Sequence, residues 1–74
     1  MSPTAEKRSP FMLQMLEFVG TSPLGFSEAV QSALAEVAAR GLKAHFLQVV
    51  EQRGAVREGK IKEYQVVLKI AVEG

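Results

Sequence analysis

The sequence contains no cysteine, no tryptophan and no aspartate, and it has a single histidine and a single tyrosine. Without cysteine there are no disulfides, no thiolate nucleophile and no cysteine-built zinc site. Without aspartate a Ser-His-Asp triad cannot be assembled, and one histidine leaves little acid–base machinery. The six glycines form neither a dinucleotide-binding fingerprint nor a P-loop, so any nucleotide would be held by stacking rather than in a phosphate cradle. No apolar run approaches the ~20 residues a membrane span needs. Residues 1–10 are polar and lack the apolar core of a signal peptide, so a cytoplasmic protein that does not engage membranes is expected. Charge of one sign is also missing: nine basic residues spread among eight glutamates give +1, which argues against a nucleic-acid partner. Glu17, Glu51, Glu58 and Glu63 are scattered, and no metal site is expected of them.

What is present is the balance of a globular protein, 47% apolar and 23% charged. Seventy-four residues suffice for one domain, which at this size buries only ~60% of the surface its unfolded chain exposes. With no disulfide or metal to staple so small a core, association with copies of itself is the expected added source of stability.

Residues 1–10 carry Pro3 and Pro10 and no apolar period, and are expected to form a flexible leader to a single domain over residues 11–74. Residues 11–19, FMLQMLEFV, have the apolar and aromatic content of a buried strand. Gly20-Thr21-Ser22-Pro23-Leu24-Gly25 reads as the turn that ends it. Ser27 is positioned to cap a helix reaching about Arg40, with Glu28 favourable in the first turn. Ala29, Val30, Ala33, Leu34, Val37 and Ala38 repeat at three-to-four spacing and make its apolar stripe. Gly41 supplies the stop.

Two strands are expected over residues 44–56 and 61–72, joined by the hairpin Arg57-Glu58-Gly59-Lys60. Together these predict an α+β fold, β-α-β-β, with one helix packed on a three-stranded antiparallel sheet. In the last strand Tyr64, Val66, Leu68, Ile70 and Val72 alternate onto one face, expected to meet the helix. If Leu47 and Val49 join them, then Phe46, Gln48, Val50, Gln65 and Val67 fall on a face that nothing in the chain covers. A half-apolar, amide-bearing face suits self-association or a ligand site. His45 alternates away from Phe46 and is expected to pack or meet solvent rather than act as a base.

Several segments, in the same order and with near-identical spacing, resemble one family: Val19-Gly20-Thr21-Ser22-Pro23, the Ala-rich helix, VVEQRG over 49–54, and Gly59-Lys60-Ile61 leading to Tyr64-Gln65-Val66 and Lys69. They are similar to the dodecins, small flavin-binding proteins, from about Leu16 to Ile70. The resemblance implies a helix cradled by a strongly curved sheet, twelve protomers closing into a hollow homododecamer, and flavins bound in pairs inside. It implies a non-catalytic store or scavenger holding riboflavin, FMN or FAD non-covalently. In that family a tryptophan on the second strand stacks on the isoalloxazine, and a glutamine on the third hydrogen-bonds the pyrimidine edge. The glutamine maps onto Gln65, and the tryptophan position holds Phe46. Arg53 aligns with a family arginine found near the flavin phosphate or in an ion pair, and Gln48 joins the candidate set from the same uncovered face. Glu73 stands where some members carry an arginine that holds coenzyme A, so that site is not transferred. The alternative expectation is a dodecin-like structural shell that has lost flavin because Phe46 replaces tryptophan, and holds another small ligand or ion.

Overall fold

The computed structural model describes residues 13–73, and the expected leader, with Phe11, Met12 and Gly74, lies outside them. Four elements follow in the expected order: β1 (Gln14–Ser22), α1 (Phe26–Ala39), β2 (Lys43–Arg57) and β3 (Lys60–Glu73). The three strands form one antiparallel sheet in the order β1-β3-β2. The central place goes to the strand with the most complete apolar alternation. Val66, Leu68, Ile70 and Val72 point to one face and are buried beneath α1, with Phe18, Ala29, Ala33 and Val37. Tyr64 joins that face through an edge-on contact with Phe26, ring centroids 4.9 Å apart. Leu47 packs at the margin of the same core, as expected.

The helix stripe is narrower than its six expected positions. Ala29, Ala33 and Val37 are buried, Val30 and Leu34 flank them, and Ala38 is exposed. The stripe is narrow because alanines bring α1 down onto the sheet, and only residues directly over β3 and β1 lose contact with solvent.

β1 corrects the expected boundary. It runs on through Gly20, Thr21 and Ser22, in register with Val66, Gln65 and Tyr64. Gly20 serves helix packing here, not a turn. A Cβ at Gly20 would overlap the Ala29 carbonyl oxygen and meet the Ala33 Cβ at 3.1 Å, so only glycine lets α1 lie this close. The chain turns after Ser22, whose Oγ accepts the Leu24 N–H at 3.0 Å.

The helix start is corrected too. Gly25 is the N-cap residue, no side chain caps the helix, and Ser27 lies inside the first turn. The Phe26–Tyr64 contact anchors the first turn two residues earlier than a Ser27 cap would place it. At the other end, Gly41 at φ 77° allows the Gly41 N–H to reach the Ala38 carbonyl and the Leu42 N–H to reach that of Val37. This pair of bonds closes the helix and returns Leu42 to the core margin.

β2 and β3 are joined by a two-residue turn with Glu58 at φ 55° and Gly59 at φ 80°, the left-handed pair whose twist matches a hairpin. β1 pairs with β3 only between Tyr64 and Val72, and Gly54 of β2 lies opposite Tyr64, so the strand ends 55–57 and 60–63 extend past β1. Leu47 is the only residue of β2 that is not exposed. A two-stranded ribbon standing alone is marginal in water.

Register shifts interrupt β2 between Ala44 and Phe46, between Val49 and Glu51, and between Ala55 and Val56. The first two each add a residue to β2, His45 and Val50, and the third adds Lys62 to β3; each resets how the side chains of the two strands align. Phe46 and Gln48 fall opposite Ala71 and Lys69, on the face away from α1, as expected. Val50 does not: it is the extra residue of its bulge, and Glu51 and Arg53 take the outer positions opposite Val67 and Gln65. His45 is likewise the unregistered residue of the first bulge. Its Nε2 lies 2.6 Å from Oε1 of Glu73, a residue that alternates with Ala71 and Lys69, so strict separation from the Phe46 face does not hold. Among the described residues no helix is long and apolar enough to cross a membrane.

Candidate functional site

The sheet face turned away from α1 is organised in cross-strand rows set by the register. Met15, Ala71 and Phe46 form the first, Glu17, Lys69 and Gln48 the second, Val19, Val67 and Glu51 the third, and Thr21, Gln65 and Arg53 the fourth. Ala71 is buried between its neighbours, while Met15 (50%), Val19 (60%) and Phe46 (59%) are widely exposed. These large apolar groups lie on a face that no element among the described residues covers, which is the signature of a surface that meets something else.

Arg53 and Gln65 of the fourth row belong to a hydrogen-bonded unit that continues to Glu63. Arg53 Nε donates to Gln65 Oε1 at 3.0 Å, and Gln65 Nε2 donates to Glu63 Oε1 at 3.1 Å. On the far side of Arg53, Nη1 lies 3.7 Å from Glu51 Oε2. Gln65 and Glu63 are half-buried, whereas Glu51 and Arg53 are exposed. Of the four candidates read from the sequence, the fold joins Gln65 and Arg53 directly and leaves Gln48 two rows away beside Lys69.

Phe46 shares the face but not the neighbourhood. It pairs with Ala71, six residues along β3 from Gln65, a distance of roughly 20 Å at the strand's rise per residue. That is further than one planar three-ring molecule reaches. Within one protomer, one such molecule therefore cannot touch both the Phe46 ring and the Gln65 amide.

Glu63 is the participant that sequence reading missed. Its signal is present, since a residue two positions from Gln65 on a strand must share its face, yet an exposed-looking glutamate beside Lys62 offers no reason to single it out. Thr21, in register with Gln65, was hidden by assignment to a turn. Among the described residues no group of three metal-ligating side chains converges.

Comparison with known proteins gives one answer at every level. The Dodecin family model matches residues 12–73. The curated dodecin of Thermus thermophilus is 42% identical over 55 residues, covering 74% of this chain and 80% of that protein. The solved dodecin of Streptomyces coelicolor superposes with a TM-score of 0.82 at 30% identity, covering 89% of this chain and 94% of that one. A Thermus thermophilus dodecin with phenylalanine substituted for tryptophan superposes with a TM-score of 0.77 at 38% identity, covering 86% and 96%. In that relative, the fold tolerates the loss of an indole in favour of a phenyl ring.

Proposed function

The chain belongs to the dodecin family, and from that premise we propose that it is a non-catalytic flavin-binding protein that assembles as a homododecamer and stores or sequesters the cofactor. Riboflavin, FMN or FAD is held non-covalently, with the Phe46 ring stacking on the isoalloxazine and Gln65 bonding its pyrimidine edge. Arg53 stands beside Gln65, and Gln48 lies on the path between Phe46 and Gln65. A carboxamide carries both a donor and an acceptor, which suits an edge where N–H and C=O alternate.

The observation that carries this reading is the placement of an exposed Phe46 ring and a half-buried Gln65 amide on one uncovered face, six strand residues apart. A single protomer cannot bring them to one flavin, so copies must be juxtaposed for the site to form. The same copies would cover Met15, Val19 and the protruding hairpin, where Val56 (66%) and Ile61 (46%) are exposed. Closed assembly by identical contacts buries such surfaces on every protomer at once.

The test is titration of the purified protein with riboflavin and FMN, with bound ligand measured by equilibrium dialysis. Saturable binding supports the reading. No binding of either flavin in the intact assembly would instead leave a structural shell.

A further inference from the structure

Gln65 sits between two residues of opposite hydrogen-bonding character. Arg53, on one side, only donates, and the carboxylate of Glu63, on the other, only accepts. A primary amide offers both, so it fits this gap in one orientation, with oxygen toward Arg53 and nitrogen toward Glu63. The flipped amide would set N–H against the guanidinium and oxygen against the carboxylate, two repulsive contacts in place of two hydrogen bonds. Both bonds are near ideal length, 3.0 and 3.1 Å.

We propose that Glu63, with Arg53, is a positioning residue that locks the Gln65 amide, so that the site reads the order of donor and acceptor on the ligand edge. This rests on Gln65 being the amide that meets the flavin. Each amide atom keeps spare capacity, one lone pair on the oxygen and one N–H on the nitrogen. The acceptor is held on the Arg53 side and the donor on the Glu63 side. The complementary ligand is a planar heterocycle with adjacent N–H and C=O groups, placed with its N–H toward Arg53 and its carbonyl toward Glu63. Glu63 never touches the ligand in this scheme. It acts by denying Gln65 the choice of orientation.

The lock is tested first without ligand, by a crystal structure of the flavin-free protein. Gln65 held between Arg53 and Glu63 is expected, and Gln65 turned out of both contacts would overturn the proposal. The second arm compares riboflavin with 3-methylriboflavin, in which methylation removes the edge N–H. Both are uncharged, so a change of protein charge does not by itself alter their ratio. Failure of riboflavin to bind the unaltered assembly would count against the flavin reading and leave the crystallographic arm to decide on the lock. In the unaltered protein the methyl group should weaken binding by roughly tenfold or more, as the loss of one well-placed hydrogen bond does. Glu63→Lys puts a second donor-only group beside the amide. It should weaken riboflavin roughly tenfold and bring the ratio between the two ligands toward one. Glu63→Gln, which retains an acceptor oxygen, should restore most of both. Unchanged discrimination in Glu63→Lys, with the assembly intact by sedimentation, would overturn the proposal, whereas a merely structural effect would lower both affinities and leave their ratio alone.

Discussion

Gly20 in β1 and Ala29 in α1 meet backbone to backbone, with no room between them for even a methyl group. This contact sets the depth at which the helix lies on the sheet, and through it the burial of Ala33, Val66 and Leu68. Because the obstructing atom is a main-chain carbonyl, it cannot swing aside. Gly20→Ala should therefore destabilise the protein by about 1–3 kcal/mol, the cost of overpacking. Denaturant unfolding at matched protein concentration measures this, since association makes midpoints concentration-dependent. An unchanged midpoint would mean that α1 rides higher on the sheet.

The hairpin turn carries the opposite opportunity. Glu58 occupies a left-handed conformation at φ 55°, which disfavours most L-residues by roughly 1–2 kcal/mol. Asn-Gly is the preferred pair for such a turn. Glu58→Asn is expected to raise stability, by up to about 1 kcal/mol, without altering flavin affinity. A lowered unfolding midpoint would contradict the turn geometry.

Gln65 and Gln48 are both amides on the uncovered face, but only Gln65 is held in a hydrogen-bonded row. Gln65→Ala should weaken flavin binding by roughly tenfold or more, with Gln48→Ala producing a smaller loss. Equilibrium dialysis of the two variants gives the comparison, and equal effects would move the pocket toward Lys69.

Phe46 offers a smaller stacking area than indole, and aromatic pairs add ~0.5–1.5 kcal/mol beyond area burial. Phe46→Trp should tighten riboflavin binding roughly tenfold and quench its fluorescence more strongly, because indole is the better electron donor. Tyr64 is turned toward Phe26 and the helix, so it does not supply that quenching. If affinity and emission are both unmoved, Phe46 is not the stacking residue.

The alternation of Val66, Leu68, Ile70 and Val72 and the Glu58-Gly59 turn are local features, so the β2–β3 hairpin and the buried face of the sheet could be read directly from residue order. Gly20 and Ser27 misled for a shared reason. Their types suit turns and caps, but contacts with Ala29 and between Phe26 and Tyr64 overrode those preferences. The bulges in β2 are the deeper obstacle. Strict alternation would place Arg53 on the same face as Leu47 and Val49, beneath the helix. The extra residue at Val50 reverses the parity and delivers Arg53 to Gln65. Nothing in the sequence VVEQRG announces that residue, so the Arg53–Gln65–Glu63 row emerges only from the register. The separation of Phe46 from Gln65 was hidden likewise, because sharing a face says nothing about distance along it.

The most direct test of the central claim is sedimentation velocity of the protein mixed with riboflavin, recorded at a wavelength where only the flavin absorbs. If, as proposed, Phe46 and Gln65 form one site only between protomers, flavin absorbance should move with a particle of twelve 8.1 kDa chains, about 97 kDa. Flavin left behind as free ligand, or carried by a monomer or dimer, would contradict the account.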